Sequence, residues 1–200
     1  MIRKKLVGLA GSYSHPSKTV ALVGYIRDVA EKRYALESTV YHMPDLGASL
    51  GTAQHYDRLA PQAQRVFQDI AEADALIVAI PVYKGSYPGL FKHMFDLMDP
   101  EALVGKPVIL AASGGGSRHA LVVEHQLRPL FGFFRAHSIA TTIYAAAADF
   151  SADHGIIADD LVKRVGEAVG QLAPFLITAG NSAALREQPE ADATTVRIAV

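Results

Sequence analysis

Asp74-Ala75-Leu76-Ile77-Val78-Ala79-Ile80 runs directly into Pro81-Val82-Tyr83-Lys84-Gly85-Ser86-Tyr87-Pro88-Gly89-Leu90-Phe91-Lys92. The first part is almost wholly apolar, the pattern of a parallel strand buried on both faces. Residues 90–98 read as a helix. Between strand and helix lies a loop of Gly, Pro, Tyr and Ser. Open α/β sheets bind ligands outside the carboxyl ends of their strands. This loop has backbone freedom at Gly85 and Gly89, aromatic faces at Tyr83 and Tyr87, and a cation at Lys84. It suits a flat ring with polar edges better than a bare metal or a peptide.

Outward from this point, strand-like and helix-like runs alternate. Strands are predicted at 6–10, 37–42, 75–80, 107–112 and 139–144, and helices at 19–32, 61–73, 90–98, 118–135 and 157–177. Residues 43–60, with Pro44, Gly47 and Gly51, read as a long loop. Five strands alternating with five helices imply a parallel sheet covered on both faces. Residues 1–177 form one domain, with no internal repeat. Residues 178–200 are smaller and more polar, and end in Thr194-Thr195-Val196-Arg197-Ile198-Ala199-Val200. They read as a mobile tail or as a strand that adds to a sheet edge.

Composition narrows the functional classes. Nineteen basic residues nearly balance twenty acidic ones, so no charged field points to nucleic acid or to a strongly basic partner. Cysteine is absent, which excludes disulfides, thiolate nucleophiles and Cys-ligated metals. The eight histidines show no His-Glu-x-x-His spacing, so no metal is expected. No Gly-x-Ser-x-Gly elbow is present, which argues against a serine hydrolase. The basic start Arg3-Lys4-Lys5 precedes too short an apolar run for a signal peptide. No apolar segment is long enough to span a bilayer. The expected compartment is the cytoplasm.

Two further loops carry chemistry. Gly11-Ser12-Tyr13-Ser14-His15-Pro16-Ser17-Lys18-Thr19 joins the first strand to the first helix. Hydroxyls at Ser12, Ser14, Ser17 and Thr19, with the Lys18 ammonium, lie at a helix start whose N–H groups are unpaired. That set suits a terminal phosphate. The plainer alternative is that Ser17 or Thr19 only caps the helix. The loop is neither a Walker A motif nor a Gly-x-Gly-x-x-Gly fingerprint, which argues against a nucleoside triphosphate or a Rossmann dinucleotide. Ser113-Gly114-Gly115-Gly116-Ser117 follows the fourth strand and lets backbone approach a ligand without side-chain bulk.

Three segments, 11–19, 81–96 and 113–134, together resemble the NAD(P)H-dependent FMN reductases of flavodoxin-like fold. Within that family the likeness is to reductase components of alkanesulfonate and methanesulfonate two-component monooxygenases. The resemblance implies a doubly wound five-stranded sheet of order 2-1-3-4-5. It implies hydride transfer from NAD(P)H to FMN, with no indispensable side-chain acid or base. Ser12, Ser14, Ser17, Lys18 and Thr19 would hold the phosphate. Pro81, Val82, Tyr83, Lys84, Gly85 and Ser86 would line the isoalloxazine. Ser113, Gly114, Gly115 and Gly116 would close its polar edge. Relatives often carry Arg near positions 14 or 18, where this chain has Ser14 and Lys18, a point charge in place of a fork. Reduced FMN would pass to a flavin-dependent monooxygenase. A quinone or azo reductase with resident FMN, and a flavodoxin-type electron carrier, stay open beside this reading. So does the choice between NADH and NADPH.

The helix at 118–135 holds an irregularity. Pro129 offers no N–H to the His125 carbonyl and crowds it, so a kink or π-bulge is expected near His125. The resemblance associates an extra residue here with a π-helix at a subunit interface. The apolar run Leu130-Phe131-Gly132-Phe133-Phe134 is too rich for one helix face, and predicts a homo-oligomer, dimer or tetramer.

Overall fold

The computed structural model describes residues 3–177. The expectation for 178–200 lies outside the described residues. Among those described, no helix is long and apolar enough to cross a membrane.

Strands β1 (Lys4–Ala10), β2 (Leu36–His42), β3 (Ala75–Pro81) and β4 (Pro107–Gly114) pair in parallel in the order β2-β1-β3-β4. That is the doubly wound arrangement expected, and β3 is buried along its whole length. The fifth position is filled by two short strands instead of one. β5 (His137–Ser138) pairs with Pro107 and Val108, and β6 (Ile143–Ala146) pairs with Ala111 through Gly114. The predicted strand at 139–144 is interrupted because side chains claim its backbone. Arg128 donates to the carbonyls of Ile139 and Ala140, Arg164 donates to that of Thr142, and Gln171 accepts from the Thr141 N–H.

Helices lie on both faces. α1 (Lys18–Arg33), α5 (Asp159–Gly170) and α6 (Ala173–Leu176) cover one face, against Leu6, Ala10, Ile77, Ala79, Ile109 and Ala111. α2 (Pro61–Glu72), α3 (Gly89–Asp96) and α4 (Arg128–Phe133) cover the other, against Val7, Leu9, Val78, Ile80 and Leu110. Alternate strand residues thus feed opposite cores, as the two-residue strand period requires. Phe91, Phe95, Phe131 and Phe134 stack edge-on or tilted into one aromatic cluster in this second core.

Three sequence readings change. The long loop at 43–60 is built from short 3-10 turns that bury Met43, Leu46, Leu50 and Leu59, so it completes the core under α2 and α3. The last helix breaks at Gln171 and Leu172 into α5 and α6. The helix at 118–135 resolves into a 3-10 turn (Ser117–His119), a π-helical segment (Val123–Leu127) and α4. Pro129 thereby sits in the first turn of α4, where a missing N–H costs least. The π segment is the relief predicted from that proline.

Candidate functional site

The loops after β1, β3 and β4 converge on a cleft of about 400 Å³ at the carboxyl end of the sheet. Ser12, Ser14, Ser17, Lys18, Thr19, Pro81, Val82, Tyr83, Ser113, Gly114 and Gly115 line it together. Most of the residues singled out in sequence therefore share one surface. The volume lies within the roughly 300–1,000 Å³ typical of small-molecule sites.

The first loop is a hydroxyl network. Ser17 caps α1, its Oγ accepting from the Val20 N–H at 3.3 Å. It also donates to Ser12 Oγ at 2.8 Å, and Ser12 Oγ accepts from the Ser14 N–H. Thr19 and Ser113 are both buried, and their hydroxyls meet at 2.8 Å, joining α1 to the end of β4. Capping and ligand binding are thus not alternatives here. Ser12, Ser17 and Thr19 set the loop's shape, while exposed Ser14 and half-buried Lys18 face outward. Lys18 Nζ reaches across to the Ala147 carbonyl at 3.3 Å and lies 5.6 Å from the Phe150 ring centroid. The first N–H groups of α1 add a partial positive charge.

The second loop is a tight hairpin. Tyr83 and Ser86 exchange both backbone hydrogen bonds, at 2.9 and 3.1 Å. Lys84 and Gly85 carry φ of 52° and 84°, the positive values a type I′ turn demands. Tyr83 lines the cleft; Lys84, Gly85 and Ser86 do not. Gly85 answers to the turn, Lys84 stands exposed at its tip, and Ser86 Oγ donates to Gln126 Oε1 at 3.0 Å, tying the turn to the π segment. At the mouth, burial pushes the Tyr13 hydroxyl up to about 12, and nearby Tyr83 adds to the shift.

In the third loop, Gly114 and Gly115 line the cleft and Gly116 does not. A side chain at Gly115 would enter open space, with nothing within 4 Å. Pro16, Ala147 and His154 complete the lining. Sequence reading missed these three. Ala147 and His154 arrive with the loop after β6, where Asp149 accepts from the Ala146 N–H at 2.7 Å. A left-handed φ of 67° at His154, beside Gly155, marks a tight turn, and the Asp153-His154-Gly155 run was its only signal.

Among the described residues, no carboxylate lines the cleft. Its polar groups are hydroxyls, one ammonium, one imidazole and backbone at a helix start; its remainder is proline, valine, tyrosine and glycine. Such a surface offers donors to an anion at one end and an apolar, aromatic wall at the other.

Comparison with known proteins gives this chemistry a family. The model of the NADPH-dependent FMN reductase family matches residues 4–150. The NADH-dependent FMN reductase SfnF of Pseudomonas fluorescens is 44% identical over 87% of this chain and 92% of its own length. An FMN reductase (NADPH) of Pseudomonas aeruginosa is 42% identical over 86% of this chain and 91% of its own. A solved oxidoreductase from Corynebacterium diphtheriae, 32% identical, superposes with a TM-score of 0.74 over 87% of this chain and 97% of that one. The chain therefore belongs to the family of NADPH-dependent FMN reductases, enzymes of oxidoreduction, here on a flavodoxin-like sheet.

Proposed function

We propose that FMN binds in this cleft with its phosphate at the start of α1 and its ring between the Tyr83 hairpin and the glycine loop. The observation that carries the reading is the donor set: Ser14, Lys18 and the α1 amides at one end, with no carboxylate from the described residues on the lining. A phosphate dianion fits these groups. Gly115 leaves room that a flat ring can fill. The chemistry FMN supplies when bound is acceptance of a hydride from reduced nicotinamide. The chain's own share is positional. Ser12, Ser17 and Thr19 hold the phosphate loop in shape, Ser14 and Lys18 meet the anion, and Pro81, Val82 and Tyr83 wall the ring. Tyr83, 46% exposed, leaves an aromatic face at the mouth for the nicotinamide partner.

The product of this reaction supplies a flavin-dependent monooxygenase, most simply one that cleaves organosulfonates; the likeness of 81–92 to reductases of such systems supports this. The protein is a cytoplasmic homo-oligomer, a dimer or tetramer. Leu121 and Phe133, 63% and 67% exposed, flank the π segment and α4 and support that assembly.

Steady-state oxidation of NADH and of NADPH, with and without added FMN, tests the activity. Turnover that requires added FMN is expected. A purified protein that keeps its yellow flavin and reduces quinones or azo dyes would favour the resident-cofactor alternative. Sedimentation of Phe133→Asp should show smaller particles than the unmodified protein; an unchanged species would move the interface elsewhere.

A further inference from the structure

Tyr144 sits outside the cleft lining, on β6, beside Ala112 of β4. Its hydroxyl donates to the Gly116 carbonyl at 2.6 Å. A Cβ built on Gly114 would come within 2.3 Å of the same hydroxyl. One phenol therefore touches both ends of the triple-glycine run. Burial and the Asp149 carboxylate raise its pKa, so it is a neutral donor throughout the physiological range.

We propose that Tyr144 is a positioning residue for the flavin reaction, a clamp that fixes the glycine loop in the conformation the ring requires. A run of three glycines loses more conformational freedom on ordering than any other sequence. Without an anchor, that entropy would be charged to ligand binding. The anchor comes from outside the lining: β6 pairs with Ala111 through Gly114 of β4 and also carries Ala147 and His154 to the cleft. Tyr144 thus braces the glycine loop while staying out of the lining itself. The glycine at 114 is explained by the same contact: the space a Cβ would need belongs to the clamp.

This inference rests on the proposal that FMN occupies the cleft. Tyr144→Phe removes only the hydroxyl and keeps the ring. Titration by flavin fluorescence should show FMN and riboflavin weakened by the same factor, roughly tenfold for one lost buried hydrogen bond. The KM for FMN should rise while kcat stays within about twofold, as expected when binding and not the reacting geometry is lost. Gly114→Ala should cost much less in the Tyr144→Phe background than in the unmodified chain, because its steric partner is gone. Thermal unfolding of each variant verifies that the fold is retained. Unchanged flavin affinity in Tyr144→Phe, or strictly additive effects of the two substitutions, would overturn the clamp. Gly115→Val separates the two levels. If it abolishes binding while Tyr144→Phe does nothing, only the clamp falls; if it too leaves binding intact, the cleft assignment falls with it.

Discussion

The two ends of the cleft are built on opposite plans. At the end proposed for the phosphate, Ser12, Ser17 and Thr19 are at most 8% exposed, and each bonds to another side chain. Side chains there form a polar frame from which Ser14 and Lys18 project. At the end proposed for the ring, Gly115 and half-exposed Tyr83 present mainly backbone and an aromatic face. That end is shaped from behind, by the Tyr83–Ser86 turn, by Gln126 and by Tyr144. The contrast matches the chemistry of the proposed ligand. A phosphate is small and highly charged, and rewards fixed donors. A planar ring needs empty space with well-placed edges, which glycine backbone supplies.

Substitutions at the two ends should therefore fail differently. The largest effect is expected at the ring end. Gly115→Val should fold normally, since a Cβ there has no described atom within 4 Å, yet lose flavin-dependent NAD(P)H oxidation by about a hundredfold or more. Near-normal turnover would place this loop away from the ring. At the phosphate end, Lys18→Ala should weaken FMN by roughly 1–3 kcal/mol, the scale of a charge-assisted hydrogen bond, and leave riboflavin unaffected. Equal binding of riboflavin and FMN to the unmodified protein would erase the distinction between the ends.

Gly85→Ala probes the scaffold behind the ring. Its φ of 84° is strained for any residue with a Cβ, so stability should fall by about 1 kcal/mol. Chemical denaturation measures this, and because Gly85 does not line the cleft, kcat should move less than in Gly115→Val. The smallest effect concerns Tyr13. Its hydroxyl is held up to about 12 in the folded protein, above the ordinary 10.0, so folding favours the protonated form. The associated stabilisation is complete below pH 10 and is lost as pH rises toward 12. Solvent screening at this partly exposed residue keeps it small. Burial also raises Tyr34, Tyr41 and Tyr144, so ultraviolet titration should show several fewer tyrosinates forming near pH 10 than in the unfolded chain, and Tyr13→Phe should reduce that shortfall by one.

Much of this molecule was legible in its chain. The apolar run at 75–80 read as a doubly buried strand, because it is short, apolar throughout and bounded by Asp74 and Pro81. Pro129 predicted a kink or π-bulge, because a proline cannot satisfy a carbonyl inside a helix, and the structure takes the π form. The hydroxyl cluster at 12–19 and the glycines at 114–116 marked two loops that do border the cleft, Gly116 excepted. In each case the information is local, carried by residues a few positions apart.

What tertiary structure alone decided depends on residues far apart in sequence. Nothing near Ile139 shows that Arg128 and Gln171 will take its neighbours' backbone groups and split the last strand in two. Nothing near Ser113 shows that its hydroxyl will be spent on Thr19, nor near Gly116 that its carbonyl belongs to Tyr144. Ala147 and His154 join the cleft only because β6 pairs with the end of β4. The physical reason is common to all of them. A sequence displays which polar groups a segment owns. The partner that satisfies each group is chosen only when packing brings distant segments together and water no longer competes.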